Sequence, residues 1–304
     1  MRQKKLLAIA GPTASGKTKI SLEIASANNA EIISSDSLLV YKHMDIGTAK
    51  PTVEERKMIR HHMIDVVEPW DLYTISDFYR DAMSAIDDIN SRDKKFIVTG
   101  GTGFYLNALI NKTFKSPGSD PEIREKLELR LKDGTPLETL HKELETVDPE
   151  TAKRVHPNDK YRILRALEVY LSTGKTMSFF RDQHKADTRS DFEPTIVVLN
   201  PEREELRANI ESRTKKMFGD GLIDEAKNLL KMGCTPDMKP LKSIGYKQAM
   251  ELISGNISEA QAIESVIKET FALAKRQVTW FKKQPFTIWL HPIRDIDKIR
   301  RLTC

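Results

Sequence analysis

Cysteine is nearly absent: Cys234 and Cys304 are the only two in 304 residues. They cannot build a zinc site alone and are poorly suited to a disulfide framework, which agrees with a reducing compartment. No run approaches eighteen apolar residues, and Met1-Arg2-Gln3-Lys4-Lys5 is followed by only five apolar positions before Gly11. That excludes a membrane span and a secretory leader, so a cytoplasmic protein with no membrane partner is expected. There is no internal repeat and no low-complexity tract. Nor does one sign of charge dominate: 49 Lys and Arg stand against 44 Asp and Glu, a net +5 with pI near 9.0. This balance permits a polyanionic partner without demanding one. What remains, 39% hydrophobic and 31% charged residues, suits one or two soluble domains with a real core and rules out disorder.

Residues 6–10, Leu-Leu-Ala-Ile-Ala, form a short apolar run that stops at Gly11-Pro12, and Lys17 to Ala27 then shows helical spacing. Further strand-like runs are 31–36, 95–99, 195–199 and 286–290, with helix-patterned stretches at 76–91, 202–218, 222–231 and 258–283. Strands alternating with helices imply a parallel sheet with right-handed crossovers. Between about Pro117 and Asp191 the texture is helical and strongly charged throughout, with no strand-like run. The expected fold is therefore α/β, a P-loop NTPase-like doubly wound parallel sheet with a helical insertion domain. The core domain takes residues 1–116 plus 192–304, and the insertion takes 117–191.

Gly11-Pro12-Thr13-Ala14-Ser15-Gly16-Lys17-Thr18 fits the phosphate-binding pattern G-x-x-x-x-G-K-[ST] between a predicted strand and a predicted helix. A chance match in a chain of this length is on the order of 1 in 100. Glycines let backbone N–H groups converge on an anion, the helix start adds partial positive charge, Lys17 can reach a terminal phosphate, and the Thr18 hydroxyl can hold Mg²⁺. The pattern identifies a phosphate site without naming the phosphate.

Kinases and NTPases of this class place an aspartate at the end of a later apolar strand to help hold the metal. Here the run 95–99 continues into Gly100-Gly101-Thr102 with no acid, and the acid instead closes the second strand, as Asp36. Strand ends of a doubly wound sheet open on one edge, so Lys17, Asp36 and Thr102 are expected to face one crevice. An N-cap or an indirect metal contact remains an alternative role for Asp36. His61-His62 has no evident third ligand and is expected to be structural.

Several segments together resemble the tRNA dimethylallyltransferases, also called tRNA isopentenyltransferases, of bacterial type. They are the 11–18 loop, Asp36-Ser37 through Tyr41, Met44 to Pro51, His61 to Asp65, Gly100 to Tyr105, His156 to Asp159 with Arg162 and Arg165 to Glu168, and Ile244 to Tyr246. Arg276-Gln277 with Thr279-Trp280 extends the match into the last long helix. Eukaryotic members add a C-terminal zinc-finger extension, whereas this sequence ends at Cys304. The resemblance implies transfer of a dimethylallyl group from dimethylallyl diphosphate to the exocyclic amine of the adenosine just 3′ of the anticodon, in tRNAs reading codons that begin with U.

On that resemblance, Gly11, Thr13, Ala14, Ser15, Gly16, Lys17, Thr18 and Arg213 bind the diphosphate, with Mg²⁺ as cofactor held at Thr18. Adenine's exocyclic amine is a poor nucleophile, so its attack needs a base, for which Asp36 is the candidate. Thr102 and Arg124 match further positions tied to activity, and the glycines around Thr102 suggest a backbone that substrate can approach closely. The tRNA anticodon stem-loop is expected to contact Asp36, Ser37, Leu38 and Leu39, then Tyr161, Arg162, Ile163, Leu164 and Arg165, then Lys242, Ser243, Ile244, Gly245, Tyr246 and Lys247. Many members carry glutamine where this chain has Leu39. Basic clusters at 154–189 and 275–283 fit an RNA arm, and a monomer is expected. A P-loop kinase of a small molecule or nucleotide and an adenylate (free-nucleotide) isopentenyltransferase stand as alternatives. The first lacks its strand-ending acid, and the second needs no large basic insertion.

Overall fold

Six strands carry the core: β1 (Lys4–Ala10), β2 (Ala30–Ser34), β3 (His61–His62), β4 (Lys95–Gly100), β5 (Phe192–Leu199) and β6 (Thr287–Leu290). In the computed structural model, which describes residues 4–111, 117–186 (side chains to 183) and 191–302, they hydrogen-bond in the order β3-β2-β4-β1-β5-β6. Every pair is parallel, so both faces need cover, and the strands accordingly read as continuous apolar runs. Helices Lys17–Asn28 and Ile296–Arg300 cover one face through Ile20, Ile24 and Ile299. Helices Ile75–Ser91, Leu222–Lys231, Tyr246–Ile253 and Glu259–Phe281 contribute to the core on the other, around Phe78, Ile86, Leu229 and Phe281. This is the doubly wound α/β sheet that the sequence pattern predicts. The predicted strand over 31–36 stops at Ser34, which leaves Asp36 in the loop beyond the carboxyl end. The two-residue β3 and helices Val53–Met58 and Gly103–Asn111 give too few periods to be visible in the pattern.

The chain divides into two compact units, Met1–Ile110 with Ser190–Cys304 and Asn111–Arg189. Within the second, helices Pro121–Lys132, Leu137–Val147 and Lys160–Thr173 bury Leu127, Leu140, Leu144, Ile163, Leu164 and Leu167 in a core of their own. Caps set their starts: Asp120 accepts from the Glu122 and Ile123 amides ahead of Pro121, and Asp159 accepts from Arg162 N–H. Of the basic cluster, Arg189 and the side chains of His184 and Lys185 lie outside the described residues, as does Cys304. Cys234 is buried. No helix of the described residues is long and apolar enough to cross a membrane.

Candidate active site

The chain leaves β1 through the 11–16 loop and enters helix 17–28 at a left-handed Gly16 (φ +87°) with no side-chain cap. The first amides of an uncapped helix have no partner within it, and their dipoles favour an anion. Two loop amides are already committed: Ser15 N–H donates to Pro12 O (3.3 Å) and Thr13 N–H to Oε1 of Gln277 (2.9 Å). Ser15 is buried, and a Cβ on Gly11 would lie 2.9 Å from its Oγ. Ser15 nevertheless lines the cavity beside the loop, and its Oγ has no hydrogen-bond partner among the described residues. Among those residues the amides of Ala14 and of Gly16 to Thr18 have no partner either, which leaves them to meet an anion. Lys17 Nζ donates to the carbonyls of Gly11 (3.1 Å) and Pro12 (2.7 Å). Burial pushes the Lys17 ammonium down to about 8, with Asp36 opposing and Arg213 adding to the shift.

Two late helices hold this loop in place. From helix Arg203–Gly219, Arg213 Nη2 donates to Thr13 Oγ1 (2.6 Å) and Asn209 Nδ2 donates to Ala14 O (3.2 Å). Burial lowers the Arg213 pKa, with Asp36 opposing. From helix 259–281, Gln277 takes the Thr13 amide and gives its own Nε2–H to Gly101 O (3.0 Å). One side chain therefore ties the phosphate loop to the turn after β4. Gln277 falls in the Arg276-Gln277 segment of the family resemblance, yet nothing in its spacing betrays this role.

Asp36 stands two residues past β2, and its Oδ1 accepts the Leu38 amide (2.9 Å), which fixes the carboxylate's direction. The turn carrying Thr102 is laced to it: Thr102 N–H donates to Ser35 O (3.2 Å), and Thr102 Oγ1 accepts from Ser37 N–H (3.1 Å). The adjacent Gly101 and Gly103 line the second cavity and also let helix 259–281 pack close. A Cβ on Gly101 would meet Gln277 Nε2 at 2.4 Å, and one on Gly103 would meet the Trp280 ring at 2.4 Å.

Two cavities of about 570 Å³ each open from these groups. The first is lined by the 13–19 segment with Thr18, and by His61, Asn209 and Lys216. The second is lined by Ser37, Leu38, Thr102, Phe104, Lys242, Arg276 and Trp280. Thr13, Asp36, Thr48 and Arg213 line both. Leu39 faces the first cavity. His61 Nδ1 lies 2.7 Å from Ile59 O, and burial lowers its pKa. His62 Nε2 meets Glu31 at 2.7 Å.

Glu225 went unseen in the sequence. It accepts three successive amides, Asp45 (2.8 Å), Ile46 (2.8 Å) and Gly47 (3.0 Å), and also the Tyr246 hydroxyl. It therefore sets the loop that delivers Thr48 to both cavities. Tyr246 is fully buried against Gly47, so it is a support and not the RNA contact expected of it. Ser243, Ile244 and Gly245 do line the second cavity.

In the other unit, Tyr161 is 68% exposed with the Arg124 guanidinium 5.3 Å above its ring. Arg124 is further paired with Glu128 (3.2 Å) and with the buried Glu168 (3.5 Å). Arg162 is exposed and paired with Asp159. Two expected contacts are corrected, since Ile163 and Leu164 are core residues at 0% exposure, while Arg165 is partly buried and donates to Glu168 and to the carbonyls of Pro117 and Gly118. Helical periodicity places them inward, a consequence that a contiguous stretch of motif conceals.

The IPP transferase family model matches residues 39–284. A tRNA dimethylallyltransferase of Geotalea uraniireducens is 45% identical over 94% of this chain and 92% of its own. The chain belongs to the tRNA dimethylallyltransferase family. A second member, from Thermotoga maritima, is 40% identical over 97% of this chain and 95% of that one. Among solved structures, the full-length tRNA isopentenylpyrophosphate transferase of Bacillus halodurans superposes with TM-score 0.71 at 36% identity, covering 98% of this chain and 93% of that one. A eukaryotic dimethylallyltransferase solved while acting on tRNA gives TM-score 0.81 at 30% identity, covering 97% and 76%. The expected family, drawn from motifs between residues 11 and 280, is thus the family found.

Proposed function

We propose that this tRNA dimethylallyltransferase moves the dimethylallyl group of dimethylallyl diphosphate onto N6 of the adenosine 3′ of the anticodon, in tRNAs reading codons that begin with U. The observation that carries this reading is the wall shared by the two cavities, where Asp36, Arg213, Thr13 and Thr48 meet. A donor whose diphosphate occupies the first cavity would present its allylic carbon there to an amine entering from the second. Asp36 takes the N6 proton as the new N–C bond forms, because the amine becomes strongly acidic while it is alkylated. The allylic C–O bond breaks, and its electron pair leaves with the diphosphate. Arg213, Lys17 and the amides at the start of helix 17–28 stabilise that growing charge. Thr102 holds the Ser37 amide and so fixes the loop next to Asp36.

Among the described residues no cluster of three His, Cys, Asp or Glu could hold a metal by itself. The hydroxyl and carboxylate oxygens lining the first cavity suit Mg²⁺, which binds largely through substrate phosphates and water with few protein ligands. Thr18 and Asp36, among the oxygen-bearing side chains that line the first cavity, would hold it. When bound, Mg²⁺ neutralises diphosphate charge.

The kinase alternative gains nothing, since β4 ends at Thr99-Gly100 without an acid. Mass spectrometry of nucleosides from tRNA incubated with the protein and dimethylallyl diphosphate tests the proposal. N6-dimethylallyl adenosine is expected at one anticodon-loop site. ATP turnover with an inert prenyl donor would replace this reading with a kinase.

A further inference from the structure

Packing does not account for Phe104. It stands in the first turn of helix 103–111, two residues after Thr102, and is 60% exposed. Its neighbour Tyr105 is buried and stacks on Phe78 at 4.0 Å. Among the described residues no other ring and no cation sits against the Phe104 ring.

The surroundings narrow what could cover it. Phe104 lines the second cavity and not the first, so the diphosphate end of the donor lies away from it. The cavity's charged lining is Arg213, Lys242 and Arg276 against the single acid Asp36. Arg276 is exposed and carries no ion pair among the described residues, while Lys242 has only a solvent-exposed contact with Asp237 at 3.4 Å. An open aromatic face beside the unpaired Arg276 and the loosely paired Lys242 suits a polyanion that carries flat apolar rings, which describes a single-stranded nucleic acid.

We infer that Phe104 is a stacking platform for the nucleobase next to the target adenine. The inference rests on the reading above that the acceptor is a tRNA loop. Drawing one base out of a stacked loop leaves its neighbour without a partner on one side, and a ring placed there offsets that loss. Stacking of this kind tolerates any base, so Phe104 contributes affinity and positioning and takes no part in proton transfer.

The experiment uses the full chain, an anticodon stem-loop with 2-aminopurine beside the target adenosine, and the variants Phe104→Ala, Phe104→Leu and Phe104→Trp. A base–aromatic stack predicts that Phe104→Ala and Phe104→Leu weaken stem-loop binding by about 5- to 150-fold. Both variants should raise KM for tRNA, leave the single-turnover rate at saturating RNA nearly unchanged, and lose the fluorescence quenching seen with the wild type. Phe104→Trp should retain binding and quenching. Thermal shift by dimethylallyl diphosphate should be the same in all four proteins, which shows that each folds. Wild-type binding and quenching by Phe104→Leu would overturn the inference while leaving the tRNA reading intact. A wild-type protein that prenylates free adenosine monophosphate but no stem-loop would overturn both.

Discussion

Glu31 shows how much a single side chain can carry away from the chemistry. It is buried in β2, yet ionised, because Arg92 binds it at 2.5 and 2.8 Å and His62 and Lys94 lie at 2.7 and 3.3 Å. Hydrogen bonds from Arg92, outweighing burial, hold its carboxyl far below the usual range. A depressed carboxylate stabilises the fold above its unfolded pKa, near 4.5, and that contribution drains away as pH falls below it. Glu31→Gln should therefore destabilise the protein by about 1–3 kcal/mol at pH 7, since it strands partners of a charge-assisted network. Urea melts of both proteins should show the gap beginning to narrow below about pH 4.5 and continuing to shrink as pH falls further, and a gap that stays constant down to about pH 3 would remove the charge from this account. At this scale the sequence was legible where chemistry is local. Lys17, Thr18 and Asp36 announced themselves through a loop and a strand end, whereas Gln277 and Glu225 did not. Their partners lie 264 and about 180 positions away in the chain, a distance at which spacing carries no signal.

Among the elements, helix 259–281 links more of the site than any motif suggests. Its Gln277 spans the phosphate loop and the β4 turn, its Trp280 fills the space over Gly103, and its Arg276 lines the second cavity. Gln277→Leu keeps the volume and removes both hydrogen bonds, leaving a partly buried amide and carbonyl unpaired. The expected outcome is a several-fold rise in KM for dimethylallyl diphosphate with stem-loop affinity unchanged, measured by steady-state kinetics beside filter binding. Equal loss of both would make Gln277 a general folding residue. The long periodic elements were readable in advance because seventeen or more residues repeat an apolar face, as in 75–91 and 259–281. Short elements were not: β3 has two residues and owes its existence to pairing with β2. The same limit explains why contiguous motif stretches blurred inward and outward positions. Tyr161 and Arg162 face solvent, while Ile163 and Leu164, one step on, build the core of the helical unit.

Over the whole molecule the charge is only +5, so RNA binding has to come from placed cations. Lys160 and Arg162 are exposed in the helical unit, while Arg165 is held by Glu168 and backbone carbonyls. Neutralising Lys160 and Arg162 together should flatten the salt dependence of tRNA binding by roughly 1–2 units of log affinity against log salt. The same change should leave the modified adenosine and the thermal shift by dimethylallyl diphosphate as they were. An unaltered slope in a filter-binding titration would mark these cations as solvated surface. The central claim is that a carboxylate stands where donor and acceptor cavities meet and takes the proton from the amine. Single-turnover transfer by Asp36→Asn, at saturating tRNA and dimethylallyl diphosphate, measures this most directly. The account predicts a chemical step about 10²- to 10⁴-fold slower with tRNA affinity nearly intact, and a rate close to the wild type would contradict it.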